Sequence, residues 1–234
     1  MRMKKAFTAC LLIGLFLFMS PQFSSSQGAA QAQNVIKLPP PQTEGGMPVM
    51  KALKLRQSTR GNFGPEEKLS LQTLSNLLWA ADGVNRPDGH RTAPSAADWQ
   101  NIQIYLTTAD GVFLYDAPQH VLKVISTEDV RATAGIDGSG KMRQDFVKTA
   151  PLNLVYVADM AKTKGMKWQE EDVGATWSFA NVGAIAENVY LFCASEGLAC
   201  ILRAMFDPAQ IAKTFQLRPD QRVILSQTVA QFKK

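Results

Sequence analysis

The chain has 234 residues, 46% of them hydrophobic, with 25 lysines and arginines against 20 acids and a formal net charge of +5. That length and apolar share suit one globular domain with a full core. Three of the basic groups lie in the first 32 residues, which hold no acid, so the remainder carries only +2 and no nucleic-acid partner is expected.

Arg2, Lys4 and Lys5 open the chain, and an apolar run follows from Ala6 to Met19. A Ser- and Gln-rich stretch then leads to the small-x-small sequence Ala30-Gln31-Ala32. This is the pattern of a secretory signal peptide, with an apolar run too short to span a bilayer comfortably. Cleavage is expected after Ala32, leaving Gln33–Lys234 as a periplasmic or secreted protein, with no membrane contact beyond the leader; an uncleaved anchor is the alternative. The basic start is not a twin-arginine pair, so export in the unfolded state is expected. Cys10 sits near the start of the apolar run, where a lipoprotein would need it after the run.

Residues 33–49 are rich in Pro, Gly and Gln and read as an extended arm before a domain over 50–234. The spacing predicts a helix from Ser70, with Ser70 as its cap and Leu69 and Leu74 as a hydrophobic staple. Leu71, Leu74 and Leu78 mark its buried face, and Ala81-Asp82-Gly83 ends it. Gly89 to Ala97 reads as a polar loop. Ile102, Ile104 and Leu106 alternate with polar residues as a strand, Asp110-Gly111 is a hairpin signal, and Val112 to Tyr115 returns. Val121–Ile125 is a further apolar stretch, and Glu128–Ala134 reads as helix. Leu152–Val157 is nearly all apolar, as a central strand buried on both faces would be. Asn181–Ser195 is the strongest helix, with Val182, Ile185, Val189 and Phe192 on one stripe and Gly197 as its stop. A short strand over Ile201–Phe206, a short helix over Asp207–Lys213 and a last strand over Val223–Val229 complete an α+β chain, its sheet antiparallel-rich and flanked by helices.

Several motifs are incomplete. Gly135 to Met142, "GIDGSGKM", has the glycine spacing of a phosphate-binding loop and Lys141. Met142 replaces the hydroxyl residue that holds magnesium, and no buried strand feeds the loop, so a glycine-rich surface turn is expected. No GxGxxG fingerprint occurs. Two histidines, His90 and His120, and no cysteine pair at metal spacing give no basis for a zinc site. Ser95 lacks the G-x-S-x-G elbow of a hydrolase. Cys193 and Cys200, if carried by one helix, would stand about 10 Å apart, too far for a disulfide; both are expected as buried thiols.

Four features remain: Arg56-Gln57-Ser58-Thr59-Arg60, "RTAPSAADWQ" at 91–100, "NVGAIAENVYLFCASEGLACI" at 181–201, and the order of elements between them. Together they resemble the nitroreductase family of FMN-dependent oxidoreductases, over roughly Met47 to Val229. "LLWAADGVNRPDGHRTAPSA" looks especially like the branch that contains peptide thiazoline and oxazoline dehydrogenases.

The resemblance implies a nitroreductase-like α+β fold and a homodimer with two FMN sites at the interface. It implies that Arg56, Gln57 and Ser58 meet the cofactor phosphate and that Arg60 approaches the pyrimidine edge of the ring. A guanidinium fork and a hydroxyl suit a phosphate dianion, and a fixed cation at that edge favours the reduced flavin. Pro94, Ser95 and Ala96 resemble the P-S-x-x-N loop that runs along the flavin from the neighbouring subunit. Asp98 stands where the family often has Asn, so its carboxylate accepts hydrogen bonds but cannot donate one. Gly197, Leu198 and Ala199 resemble the "GLG" turn near N5, with Ala199 in place of the third glycine. The family's "PVGYP" appears as Thr228 to Phe232 without its glycine. Hydride exchange through N5 to a nitro, quinone or related acceptor would follow, and no side chain need serve as catalytic acid. NADH or NADPH is a candidate donor, but export places the protein away from both. Another donor, an anchor facing inward, or covalent FMN would each resolve this. For the last, Glu170 to Thr176, "EEDVGAT", faintly resembles a flavinylation motif, with Thr176 as the attachment point. A non-catalytic flavin- or ligand-binding protein of the same fold is the reading from another class.

Overall fold

In a computed structural model, the described residues are 35–61, 63–64, 67–163 and 173–233. The leader expected over 1–32 lies outside them, as does Glu170 of the flavinylation-like stretch.

The fold is built on one antiparallel sheet. Strands β1 (Val35–Lys37), β2 (Ile102–Thr108), β3 (Gly111–Asp116), β4 (Val121–Ser126), β5 (Leu152–Asp159), β6 (Leu198–Arg203) and β7 (Gln221–Gln231) are arranged in the order β1-β4-β3-β2-β5-β7-β6. Strand β5, which holds the nearly all-apolar run at 152–157, takes a central place and is buried at every position. Its alternation divides two cores. Leu152, Leu154, Tyr156 and Ala158 face one, Val155 and Val157 the other.

The first core is covered by α2 (Leu71–Asp82) and by α4 (Val173–Glu196). The second lies under α3 (Phe146–Thr149) and α5 (Pro208–Thr214), with Ala134 from a 3-10 turn at Arg131–Gly135. Helix α1 (Val49–Leu55) packs on α4. No helix among the described residues is long and apolar enough to cross a membrane.

Local signals account for most boundaries. Ser70 Oγ accepts from Thr73 N at 3.0 Å, and Gly83 caps α2 by donating to Trp79 O. Asp207 caps α5, with Pro208 at its first position. The buried face of α2 is Leu77, Leu78 and Ala81 rather than one that includes Leu71, which is 47% exposed.

Helices α1 and α3 were not expected from the sequence, and four further elements differ from the expectations. The arm over 33–49 contains a strand, since Val35–Lys37 pairs with β4. The helix predicted from Asn181 begins at Val173, because Gly174 packs against the turn at 160–163; a Cβ on it would lie 2.5 Å from Thr163 Oγ1. The strand predicted at 201–206 starts at Leu198, because Gly197 turns the chain straight back at φ 68°. The helix predicted over 128–134 shrinks to the 3-10 turn.

Candidate functional site

Helix α1 stops at Leu55, and Arg56 donates its backbone N–H to Ala52 O. The pentapeptide that follows runs along the outer edge of β6, where Thr59 N donates to Cys200 O at 2.8 Å. Tyr190 of α4 organises it. Its hydroxyl lies 2.9 Å from Ser58 Oγ and accepts from Leu202 N at 2.7 Å. The Arg56 guanidinium stands 5.3 Å from the Tyr190 ring centroid, a cation–π placement. Gln57, Ser58 and Arg60 are exposed and Arg56 is half-buried.

Gly197 and Leu198 adjoin the same place. Gln57, Tyr190, Cys193, Gly197, Leu198 and Phe232 line a cavity of about 200 Å³. Ala199 is fully buried in β6 opposite Ala230, in ordinary strand conformation, so its methyl is accommodated without strain. The structure therefore brings Arg56, Gln57 and Ser58 to the Tyr190 cavity that Gly197 and Leu198 line, while Arg60 lines a separate cavity with Gln144, Phe146 and Ile201. The sequence pattern gave Tyr190 no role. Its spacing, one residue off the apolar stripe of α4, was the available signal.

Pro94, Ser95, Ala96 and Asp98 lie elsewhere. Ala96 N donates to Asn181 Oδ1 at 2.9 Å, near the other end of α4. Asn181 and Tyr190 are separated along the helix axis by about 14 Å. The chain thus holds the two groups of predicted residues apart, not as one joined site. The loop is tightly formed: Gln100 N donates to Ser95 Oγ at 2.8 Å, and Asp98 N to Ser95 O at 3.1 Å. Ala97, Asp98 and Gln100 all have positive φ, at 48°, 52° and 44°. The Asp98 carboxylate accepts from Gln100 Nε2 at 3.1 Å and is 3.6 Å from His90 Nε2.

A buried ion pair carries the loop that leads into this segment. Arg91 Nη1 donates to Asp82 Oδ2, and Asp82 is 5% exposed at the end of α2. Burial outweighs Arg91 and pushes the Asp82 carboxyl up to about 6. The folded chain then holds a proton that the unfolded chain releases near pH 4. Stability should fall as pH rises from about 4 to about 6, by about 3 kcal/mol in total, and level off above. Arg91→Ala should move the Asp82 midpoint higher still. A carboxyl-carbon NMR titration reads both, and a midpoint below 4 in the parent chain would refute the assignment.

The phosphate-loop lookalike is closed on itself. Asp137 Oδ1 accepts from Ser139 N, Ser139 Oγ and Lys141 N at 2.9, 2.6 and 3.1 Å, and Arg143 Nε donates to Oδ2. The Ser139 hydroxyl, then Arg143, hold this carboxyl well below the usual range. A carboxylate occupies the N–H groups that a phosphate would take, so the stretch is the surface turn expected of it.

The donor set at the end of α4 suits FMN. Arg56 and Arg60 have no ion-pair partner among the described residues, and Thr59 Oγ1 is a buried oxygen with no partner beside them. The nitroreductase family model matches residues 53–230. The chain belongs to the nitroreductase family. A protein of Methanocaldococcus jannaschii assigned as a nitroreductase is 29% identical over 156 residues, covering 64% of this chain and 76% of its own. A crystal structure assigned as a nitroreductase from Ralstonia eutropha is 41% identical, covers 86% of this chain and 90% of its own, and has a TM-score of 0.76. A nitroreductase from Desulfovibrio desulfuricans, crystallised with FMN, shares the fold at 16% identity and a TM-score of 0.53, covering 81% and 89% of the two chains. Family and fold support a flavin oxidoreductase.

Proposed function

We propose that the protein is an exported, homodimeric FMN-dependent oxidoreductase that passes a hydride to a nitro, quinone or related acceptor. The observation that carries this reading is the grouping of Arg56, Ser58 and Gly197 around Tyr190. Arg56 and Ser58 would hold the phosphate and Arg60 the pyrimidine edge. Bound FMN supplies two-electron hydride chemistry at N5. The chain's own contribution is orientation and positive charge. Burial of Ala199 and Leu198 fixes the strand that follows the Gly197 turn.

The two separated groups argue for the dimer. A second copy must bring its 94–98 segment to the first copy's pentapeptide if both are to meet one flavin. Apolar side chains suited to such an interface are exposed on α1 and α4: Val49 61%, Met50 75%, Leu53 48% and Phe179 45%. Leu53→Glu should therefore yield monomers in sedimentation velocity and release FMN together. A dimer that persists with the charge in place would count against this face.

The decisive experiment is an absorbance spectrum of the exported protein before and after denaturation, followed by turnover with an artificial reductant and a nitro or quinone acceptor. Flavin that washes away on unfolding supports non-covalent FMN. Flavin that stays on the polypeptide would point to Thr176. No flavin and no binding of added FMN would end the oxidoreductase reading. FMN binding without turnover would favour a ligand-binding role. Desaturation of an azoline-containing peptide would favour the thiazoline and oxazoline dehydrogenase branch, which the stretch 77–96 resembles.

A further inference from the structure

The arm over 35–41 does more than pair with the edge of the sheet. It closes a cavity of about 440 Å³ against the end of α2 and the turn between β3 and β4. None of the residues around Tyr190, whose own cavity measures about 200 Å³, lines it. Pro40, Pro41, Pro118 and the half-buried Trp79 make its apolar wall, and Lys37, Gln119 and His120 are its polar side chains. A cavity of that size is in the range that takes small molecules.

The wall is held in place by the fold itself. Ser75 Oγ donates to Pro39 O at 2.6 Å and Gln72 Nε2 to Pro40 O at 3.0 Å, which straps the arm to α2. Having given its proton to Pro39, the Ser75 hydroxyl accepts from His120 Nε2 at 2.7 Å, and the Tyr115 hydroxyl donates to Nδ1 at 2.9 Å. Both imidazole nitrogens are engaged and the ring is neutral, with desolvation holding it below the ordinary histidine range. Trp79 Nε1 donates to Val84 O at 3.1 Å, so the indole has an apolar ring to offer a ligand, not a donor. The three prolines lose no backbone freedom when a ligand settles on them.

Charge decides what fits. Lys37 is exposed at the rim and has no ion-pair partner among the described residues, and Asp116, just before the lining turn, is taken by Lys123 at 2.6 Å. No carboxylate lines the cavity, and His120 brings no charge at neutral pH, so the lining carries one charge and it is positive. A wall of proline and indole rings with a cation at its mouth suits a ring that bears an acid. A rigid ring also loses less freedom there than an acyl chain would. We propose that this cavity binds a small aromatic carboxylate, its ring against Trp79 and the prolines and its carboxylate on the Lys37 ammonium. The inference does not rest on the flavin reading, because no residue assigned to FMN lines the cavity.

The test is titration of β-naphthoate into the exported protein, without FMN and with FMN in excess, followed by amide and indole NMR shifts. The amide signals of Lys37, Leu38, Val84 and Gln119 and the Trp79 Nε1–H should move along one saturating curve that FMN leaves unchanged. β-Naphthamide keeps the rings and loses the charge. It should bind about threefold to fivefold more weakly, the scale of an exposed ion pair, and Lys37→Gln should erase that difference. Equal affinity for acid and amide in the parent chain would overturn the proposal. So would shifts gathered at Tyr190 and Gly197, loss of binding when FMN is added, or shifts that never saturate. FMN binding is read separately from its absorbance, so failure of the flavin reading and failure of this site are distinguishable.

Discussion

Replacing Arg203 by methionine is expected to lower stability by about 2–4 kcal/mol, seen as a lower urea midpoint with unchanged slope. Arg203 is 4% exposed and lies across the sheet on the side away from α4. Its N–H groups reach Thr228 Oγ1 at 3.0 Å, Ser226 Oγ at 2.9 Å, Asn153 Oδ1 at 3.4 Å, Ala134 O at 2.7 Å and Gln144 Oε1 at 3.2 Å. All five acceptors are neutral, so the charge is solvated by oxygens instead of paired with a carboxylate. Desolvation lowers its pKa to about 10, and it stays protonated at neutral pH. Thr228 and Ser226 keep other partners after the substitution, because they donate to Asn153 Oδ1 and Leu154 O. Ala134 O and Gln144 Oε1 lose theirs.

The variant Arg203→Lys separates the fork from the charge. Lysine keeps a buried cation but brings three donors on a compact head where arginine brings five in a plane. It should therefore be no more stable than the methionine variant. A lysine variant close to the parent would show that charge alone matters here and would refute the role given to the fork.

Arg56→Ala is expected to weaken FMN binding roughly ten- to a hundredfold, since a hydrogen bond to a charged group contributes about 1.5–3 kcal/mol. Fluorescence titration of the apoprotein reads it directly. Tyr190→Phe is the more discriminating change. It removes no group assigned to the phosphate, yet it takes away the oxygen that meets Ser58 and accepts from Leu202 N. FMN affinity should fall several-fold while Arg56 remains, and melting should occur at a lower temperature because a backbone N–H loses its partner. Unchanged affinity in Arg56→Ala would remove the pentapeptide from the cofactor site.

The sheet was legible because its strands announce themselves in period two, and the centrality of β5 followed from the nearly all-apolar run at 152–157. The short helix at 49–55 was not legible. It follows a proline-rich arm and leaves Val49, Met50 and Leu53 exposed, so one chain gives it no buried stripe to display. The first turns of α4 were missed for a related reason. Their packing depends on the absence of a Cβ at Gly174, which has no periodicity. At the site, Arg56, Ser58 and Gly197 were legible as short motifs. Tyr190 was not, because its importance comes from where β6 returns, and a tyrosine on an amphipathic helix reads as packing. Cys193 and Cys200 are the free, buried thiols expected of them, although they lie on a helix and on a strand rather than on one helix.

The segment 97–100 has a thermodynamic consequence of its own. Three residues with side chains sit in left-handed conformations that glycine would adopt more cheaply, at a cost of about 1 kcal/mol or more each. Side chains at these positions also narrow what the unfolded loop can sample. The segment therefore gives up its conformational freedom when the chain folds, and little would be left to lose on the docking of the flat ring or second subunit proposed above. Its association should carry a small entropic penalty, the signature of a pre-organised wall rather than a closing flap.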